Sequence, residues 1–289
     1  MRISNVIVVN KKTFYEFCFL DKSGSQRRKK MFFSREDLLR FKEMHAAHQK
    51  TLREVKRVLD HYRIRYRVSN RKTHIPYGRY DLVITVGGDG TFLQAARQLS
   101  SQMILGVNSN PARSIGNFCA ATEKNFRKVF FAILSGKAKT KRLTRFSLKI
   151  KKQEKAFLVL NDILICDVNP GAMSRYVLTI GKREEEQRSS GLWISTASGS
   201  TGAIHSSGGT ILKDTSTSLQ YRPRELYYKN LNQYRLKGSV LSLNPSLKIR
   251  SMMRKGVIYV DGAHFKIPFS YGEEVFVRRS SIPILTVAS

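Results

Sequence analysis

The sequence predicts an α/β amino-terminal domain with a parallel, Rossmann-like sheet, followed by a β-rich carboxyl-terminal domain. Three observations support this division of the 289 residues. Apolar runs in the first half are near-continuous, which is typical of strands buried in a parallel sheet. One of these runs leads through a glycine-rich turn into a helical pattern. After Lys141 the pattern changes to short alternating runs separated by Ser, Gly and Asn, which indicates a β-rich domain.

The first predicted elements are a strand, a loop and a long helix. Asn5–Val9 is a short β-branched run and indicates a buried strand. The basic stretch Asp21–Lys30 is expected to be an exposed loop or the tip of a hairpin. Between Arg35 and about Tyr62 there is no Gly or Pro, and apolar positions recur at helical spacing. We therefore predict a helix there, with Ser34 as its N-cap.

A strand, a turn and a second helix follow. Asp81–Thr91 begins as a near-continuous apolar strand and ends in the turn Gly87-Gly88-Asp89-Gly90-Thr91. Helical character is predicted for Phe92–Leu99, and another strand for Met103–Val107. This succession is the βαβ unit from which parallel sheets are built. We therefore predict an α/β nucleotide-binding domain over residues 1–140.

The second half contains short runs that predict strands, and its one clear helical segment follows Ser200. The β-rich domain is predicted over residues 141–277. Its predicted strands are Phe146–Ile150, Ala156–Leu160, Ile163–Cys166, Tyr176–Ile180, Leu192–Thr196, Val257–Val260 and Glu274–Val277.

The net charge of +31 indicates a surface that attracts polyanions, either nucleic acid or nucleotides with several phosphates. The basic residues are spread along the chain, and no recognised nucleic-acid-binding module accompanies them. A generally basic surface without a specific partner is an equally acceptable interpretation.

Cysteine, histidine and hydropathy patterns argue against several classes of protein. Cys18, Cys119 and Cys166 form no CxxC pair, so buried free thiols are expected rather than disulfides or a thiolate zinc site. His45 and His48 are expected on the solvated face of the predicted helix. No apolar run approaches the roughly 20 residues of a membrane-spanning helix, and no secretion signal is present. We therefore expect a cytoplasmic protein without a membrane partner.

The turn at residues 87–91 carries the strongest chemical signal. Ligands bind at the carboxyl ends of strands in open α/β sheets, where glycines let the backbone approach phosphates and a helix amino terminus favours negative charge. Asp89 would repel a phosphate. It therefore indicates a base that takes a proton from a hydroxyl, or a holder of Mg²⁺ beside phosphates. The plain alternative is a tight turn in which Asp89 caps the helix.

This turn, with Phe92–Ala96 behind it, resembles the signature of the NAD kinases. Related Gly-Gly-Asp-Gly turns occur in diacylglycerol and sphingosine kinases and in phosphofructokinases, so the turn alone is specific only for that superfamily. Further segments resemble NAD kinases in order and spacing across residues 80–280. They are Leu160-Asn161-Asp162, Ser195–Thr201 with Ser207-Gly208-Gly209, and Val260-Asp261-Gly262.

The resemblance implies transfer of a phosphoryl group from ATP, or from polyphosphate, to the 2′-hydroxyl of the adenosine ribose of NAD, which gives NADP. It implies Asp89 as the general base, and Mg²⁺ held through the ATP phosphates rather than by a protein metal site. For Asn161 and Asp162, considered alone, a turn before a strand is the simpler interpretation. The NAD-binding residues that the resemblance implies are Gly88, Asp89, Gly90, Thr91, Phe92, Asn161, Asp162, Arg188, Ser190, Thr201, Gly202, Ala203 and Ser206.

Two positions depart from the family pattern. In Arg188-Ser189-Ser190-Gly191, Ser190 replaces the acid that is expected near the nicotinamide end of NAD. Ala203 stands where many family members have a tyrosine. The Ser-Ser-Gly version, together with the segment Gly106–Pro111, resembles the divergent mitochondrial-type branch.

The resemblance also implies a homodimer or homotetramer, in which a neighbouring subunit completes the NAD pocket, and a tail of about residues 278–289 that returns to the first domain. Two alternatives stay open. A lipid kinase of the diacylglycerol or sphingosine type would use the same turn on an apolar substrate. A non-catalytic protein that binds nucleotides, and nucleic acid only non-specifically, would account for the charge without turnover.

Overall fold

The buried strand predicted at the start of the chain is the second strand of a mostly parallel sheet. The computed structural model describes residues 3–21, 31–71, 73–151, 153–154, 156–230, 232–242 and 246–288. The loop predicted at Asp21–Lys30 lies, from residue 22 onward, outside the described residues. The strands of this sheet are β1 (Asn5–Asn10), β2 (Arg65–Asn70), β3 (Leu82–Gly87), β4 (Met103–Asn108), β5 (Cys119–Thr122), β6 (Thr140–Leu143) and β19 (Ile284–Val287). Their order is β2-β1-β3-β4-β19-β6, and β5 also pairs with β4.

The central strands of this sheet are apolar along their length because both of their faces are covered. Every residue of β3 and β4 is buried. Side chains on one face pack against two helices, α1 (Arg35–His61) and α3 (Phe126–Leu134). The neighbouring pairs β2-β1, β1-β3 and β3-β4 are all parallel, so their carboxyl ends meet at one edge of the sheet.

Helix α1 starts where the sequence predicts, at a capping box. The Ser34 hydroxyl accepts a hydrogen bond from the Asp37 amide at 3.0 Å, and the Asp37 carboxylate accepts one from the Ser34 amide at 3.2 Å. The buried stripe of this helix includes His48, Thr51 and Val55. The expectation of a solvated face is therefore wrong for His48, which is 1% exposed and lies one turn before the apolar part of the same stripe.

The helix after the glycine turn, α2 (Asp89–Ala96), begins earlier than the predicted Phe92. Gly88 is its N-cap, and the Thr91 amide donates to the Gly88 carbonyl at 2.9 Å. The turn residues 89–91 therefore form the first turn of the helix. A carboxylate in that position complements the helix dipole.

The second unit of the chain is built from two six-stranded sheets whose pairings are all antiparallel. One sheet has the strands β7 (Phe146–Ile150), β8 (Phe157–Val159), β10 (Ser174–Ile180), β11 (Arg183–Ser189), β15 (Ser246–Ser251) and β18 (Glu274–Arg279), in the order β11-β10-β15-β18-β7-β8. The other has β9 (Asp162–Asp167), β12 (Gly191–Ser195), β13 (Leu219–Arg224), β14 (Ser239–Leu241), β16 (Gly256–Val260) and β17 (Lys266–Phe269), in the order β14-β13-β12-β9-β16-β17. One apolar core contains residues of both sheets, such as Leu148 and Ile165, so they pack face to face.

The chain divides into two compact units, Met1–Lys141 with Leu285–Ser289, and Arg142–Ile284. The segment that returns to the first unit carries β19 and is shorter than the tail predicted at 278–289, because β18 continues to Arg279 in the second unit. The predicted fold class, a parallel α/β unit followed by a β-rich unit, is confirmed. The second unit also has the short helix α4 (Ala203–Ser206) after Ser200.

The three cysteines are free, but only Cys18 is buried as expected, while Cys119 and Cys166 are half-buried. Across the described ranges, no helix combines the length and the apolar character that crossing a membrane requires.

Candidate functional site

The glycine turn lies at the carboxyl end of β3, between β1 and β4. Gly87 is glycine because of packing as well as chemistry: a Cβ on it would lie 2.3 Å from the Thr91 hydroxyl. A Cβ on Gly88 would lie 2.8 Å from the Ser114 hydroxyl. The glycines therefore let the first turn of α2 sit directly on the end of the strand, with its backbone accessible at Gly90.

Asp89 is held by backbone amides. One carboxylate oxygen accepts a hydrogen bond from the Phe118 amide at 2.9 Å, and the other accepts one from the Asn117 amide at 3.1 Å. These bonds fix the orientation of the half-buried carboxylate. Since a carboxylate offers about four lone-pair sites, both oxygens can still accept a proton or a hydrogen bond from a hydroxyl.

Two basic residues at the same edge of the sheet are absent from the predicted site. Lys11 follows β1 and Arg71 follows β2, directly after the paired residues Asn10 and Asn70. A guanidinium nitrogen of Arg71 lies 3.8 Å from the position that a Cβ on Gly90 would take. Both side chains are half-buried.

In the second unit, the predicted pair Asn161-Asp162 stands at the start of β9. Asp162 is 6% exposed, and the side-chain amide of Asn161 donates a hydrogen bond to its carboxylate at 2.9 Å. Burial raises the pKa of Asp162 to about 6, against the opposing effect of hydrogen bonds from the Gly262 backbone and the Asn161 side chain. Asp162 is therefore a carboxyl group that changes its charge near neutral pH.

Asp261 holds the backbone of this corner. Its carboxylate accepts a hydrogen bond from the backbone amide of Asn161 at 2.7 Å and another from the backbone amide of Leu160 at 3.1 Å. Its own amide donates to the Asp162 carbonyl at 2.8 Å, and its φ of 50° is rare for a residue other than glycine. The pattern Val260-Asp261-Gly262 therefore has a structural role, which is to shape the Asn161-Asp162 corner.

The segment after β12 packs against the same corner. The Thr196 amide donates to the Asn161 carbonyl at 3.0 Å. A Cβ on Gly199 would lie 2.1 Å from that carbonyl oxygen, so only glycine fits there. A Cβ on Gly202 would lie 3.8 Å from both the side-chain amide of Asn161 and the carboxylate of Asp162. The structure thus brings two separate predicted motifs into contact.

A cavity of about 550 Å³ opens beside this corner, within the size range of small-molecule sites. Asp162, Ser190 and Ala203 line it, and Trp193 and Tyr259 give it aromatic walls. Charged groups of both signs also line it: Asp167 and Glu225, Arg224 and Lys266. The cavity can therefore hold a flat ring together with polar groups.

Residues 19–138 match the ATP-NAD kinase N-terminal domain. The sequence is 32% identical over 263 residues to the probable NADH kinase of Oryza sativa subsp. japonica, a match that covers 83% of this chain and 81% of the rice protein. It is 31% identical over 243 residues to the NADH kinase of Arabidopsis thaliana, with 76% of each chain covered.

The chain belongs to the NAD kinase family. Two solved structures from the family share its fold. An NAD kinase from Archaeoglobus fulgidus, solved in complex with ATP, has a TM-score of 0.71 at 18% identity, over 98% of this chain and 93% of that one. A yeast NADH kinase complexed with NADH has a TM-score of 0.68 at 19% identity, over 100% of this chain and 84% of that one. The NAD kinase family resemblance is thereby confirmed, and the lipid-kinase alternative gains no support from these matches.

The residues that the NAD kinase resemblance assigned to NAD at the turn differ in accessibility. Gly90 is exposed, and Gly88 and Asp89 are half-buried. Thr91 and Phe92 are buried, and the Phe92 ring stacks on Phe118 with centroids 5.1 Å apart. The last two residues therefore support the turn from the core.

In the second unit, the structure gathers five of the predicted NAD-binding residues. Asp162, Ser190 and Ala203 line the cavity, and Asn161 and Gly202 lie against Asp162. The two departures from the NAD kinase pattern, a serine for an acid and an alanine for a tyrosine, thus fall on the wall of one cavity. Both replacements are small side chains, which leaves this wall open.

Three predicted residues lie away from this cavity wall. The Arg188 guanidinium is 3.9 Å from the Glu186 carboxylate on the same strand. Thr201 precedes α4 and Ser206 is its last residue, and both are exposed. Their assignment to NAD stays a prediction.

The NAD kinase motifs did not point to Lys11 or Arg71. The available signal was their position directly after a strand whose carboxyl end belongs to the ligand-binding edge. Among the described residues, no group of three or more His, Cys, Asp or Glu side chains is placed to hold a metal ion.

Proposed function

We propose that the protein phosphorylates the 2′-hydroxyl of the adenosine ribose of NAD or NADH, with ATP as the donor and Asp89 as the general base. The observation that carries this proposal is the position of Asp89. It is held by two backbone amides at the end of a buried strand, in a chain of the NAD kinase family.

The proposed reaction uses the groups at the turn as follows. The ribose oxygen bonds to the terminal phosphorus of ATP as the bond from that phosphorus to the bridging oxygen breaks, which releases ADP. The hydroxyl proton passes to the Asp89 carboxylate. Protein groups in such reactions mainly position the reactants and balance charge. The fixed carboxylate of Asp89 suits this role because it needs no reorientation before it accepts the proton.

The acceptor is proposed to bind through the Asn161-Asp162 corner and the cavity beside it. The corner offers amide and carboxyl groups for ribose hydroxyls, and the aromatic walls suit a planar base or nicotinamide ring. Similarity to the probable NADH kinase of rice and to the NADH kinase of Arabidopsis supports NADH as an acceptor beside NAD.

Mg²⁺ is proposed to enter with the donor. The turn offers one half-buried carboxylate, Asp89, which fits an ion held mainly by phosphate oxygens and water. When bound, Mg²⁺ would neutralise negative charge on the phosphates of the donor.

The test is formation of NADP or NADPH by the purified protein with ATP and Mg²⁺, run in parallel with Asp89→Asn. General-base removal is expected to lower turnover by about 10²–10⁴-fold. The asparagine keeps the acceptor oxygen for one amide, so NAD affinity measured by calorimetry should change little. Turnover by the variant equal to that of the wild type would refute Asp89 as the base.

The same assay decides the donor and the acceptor. Inorganic polyphosphate replaces ATP in one arm, and NADH replaces NAD in another. Absence of product in every arm would overturn the proposed activity and leave a nucleotide-binding role for the chain.

A further inference from the structure

The basic residues Lys11 and Arg71 form an unusual pair, because two like charges lie together at the ligand-binding edge of the sheet. They occupy equivalent positions after the paired parallel strands β1 and β2. The Arg71 amide donates to the Asn10 carbonyl at 2.8 Å, and the Arg71 carbonyl accepts from the Gln94 side chain at 2.8 Å. Arg71 is therefore fixed both to β1 and to α2, the helix that begins with Asp89.

No ion pair compensates the two charges within the described part of the chain. The next residue, Lys12, differs in this respect: its ammonium lies 2.9 Å from the Asp21 carboxylate. Burial first, and then the charge of Arg71, lower the pKa of Lys11, and burial lowers the pKa of Arg71. Holding two such charges together without a counter-charge is unfavourable in the free protein.

Hydrogen-bonding groups surround Lys11, and among the described residues no carboxylate forms an ion pair with it. His48 lies close by, with its Nδ1 3.0 Å from the Ser109 hydroxyl, and burial with the charges of Lys11 and His45 lowers its pKa to about 4. It is therefore neutral at physiological pH. Lys11 and Ser109 also line a cavity of about 130 Å³ at the same edge.

We infer that Lys11 and Arg71 form an anion subsite that binds the phosphate chain of the phosphoryl donor. The Arg71 guanidinium stands next to Gly90, at the amino terminus of α2, where backbone amides also favour an anion. A phosphate chain brings several negative charges past Asp89, and the two cations offset that repulsion. The inference rests on the proposed function only for the identity of the ligand as the donor; the subsite itself is argued from the geometry.

The test measures binding rather than turnover. Calorimetric titration of the full chain with ATP, inorganic triphosphate and adenosine is compared for the wild type, Lys11→Gln, Arg71→Gln and Lys12→Gln. Since a hydrogen bond to a charged group contributes about 1.5–3 kcal/mol, each of the first two variants is expected to weaken ATP and triphosphate binding by about tenfold or more. Lys12→Gln removes an adjacent charge of the same sign and should change binding by less than about twofold.

Further arms separate the sources of the phosphate chain and guard against misfolding. Adenosine, which has no phosphate, should bind all four proteins equally, and Arg71→Lys should recover part of the triphosphate affinity by restoring the charge. A longer inorganic polyphosphate that competes with ATP equally well would identify a phosphate chain without a base as a sufficient ligand.

Unchanged triphosphate affinity in both Lys11→Gln and Arg71→Gln would overturn the subsite. In a parallel titration of the same variants with NAD, loss of NAD affinity with unchanged ATP affinity would overturn the assignment of the subsite to the donor. Failure of the wild type to form either NADP or NADPH, with these binding differences intact, would instead refute the proposed function and leave the subsite standing.

Discussion

The two units of this chain build their candidate sites in opposite ways. In the first unit, the chemistry stands at the ends of parallel strands, where backbone amides and glycines form the site and Asp89 is held by two main-chain donors. In the second unit, side chains on strands and connecting segments line a cavity, and residues as distant in sequence as Asp162 and Lys266 share it.

This difference indicates which of the two candidate sites tolerates substitution more readily. A site made of backbone and glycine leaves little room for substitution, because a single Cβ collides with its neighbours. A cavity lined by side chains can change shape and charge while the strands beneath it stay the same. Ser190 and Ala203, the two departures from the family pattern, both lie in the second kind of site.

The largest expected effects come from glycines that meet close neighbours. Gly199→Ala forces a Cβ to 2.1 Å from a backbone carbonyl, and Gly87→Ala forces one to 2.3 Å from the Thr91 side chain. We expect losses in unfolding free energy of about 3 kcal/mol and about 1–2 kcal/mol respectively, since backbone yields less than a side chain. Urea unfolding measures both.

A matched control and a rescue sharpen this test. Gly78 has open space around its Cβ position and no positive φ, so Gly78→Ala should change stability little. In a Thr91→Ala background, Gly87→Ala should lose part of its effect, because the hydroxyl at 2.3 Å is gone while the Cβ of residue 91, at 2.9 Å, stays. An equal loss in both backgrounds would contradict the close contact as its cause.

An intermediate effect is expected from the buried carboxyl of the second unit. Because the folded-state pKa of Asp162 is about 6, above its ordinary 3.8, folded chains bind this proton more tightly than unfolded ones. The resulting stability is fully present below about pH 4 and is lost as pH rises through about 6.

Asp162→Asn should remove this dependence. The unfolding free energy of this variant should be nearly independent of pH between about 4 and 6. At pH 7.5 the variant should be more stable than the wild type by up to about 2–3 kcal/mol. Denaturation at a series of pH values checks both statements. A wild-type profile that rises from pH 4 to 6 in step with Asp162 titration would contradict the raised pKa.

A smaller effect is expected at the wall of the proposed acceptor cavity. Ser190→Asp adds a negative charge to the cavity, which favours the positively charged nicotinamide of NAD over the neutral ring of NADH. The ratio of kcat/KM for NAD to that for NADH should rise by about threefold to tenfold. Ser190→Asn has a similar shape without the charge and should leave the ratio near its original value.

The smallest effect is expected far from either site. Ser34→Ala removes one half of the capping box of α1 and should lower the stability of the first unit by about 1 kcal/mol. Thermal unfolding followed by circular dichroism measures this change. Asp37→Ala should produce a similar loss, and the double variant should lose less than the sum of the two.

The sequence predicts those strands and helices that show a regular apolar pattern within their own residues. The strand Phe146–Ile150 was predicted with its observed bounds, whereas β11 was missed because three consecutive glutamates occupy it. That strand lies at a sheet edge, where charged residues are common and where pairing with β10 supplies the structure. Its conformation therefore depends on a partner that periodicity cannot show.

The same distinction applies to the candidate sites. The glycine turn is contiguous in sequence, so its place between a buried strand and a helix could be predicted. Lys11 and Arg71 were missed because, among 52 basic residues, a basic residue after a strand does not stand out. The aromatic walls of the cavity, Trp193 and Tyr259, were missed because only the pairing of their strands with β9 brings them together.

The place of β19 has a consequence for the order in which the protein is made. This strand lies between β4 and β6, yet it is synthesised after the whole second unit. At 5–20 residues per second, a ribosome needs on the order of ten seconds to produce the chain between β6 and β19. During that interval, β6 lacks its sheet neighbour and the first half of β4 exposes an unpaired edge. The first unit therefore completes its sheet late in translation, and nascent chains stalled in the second unit present an edge that chaperones can bind.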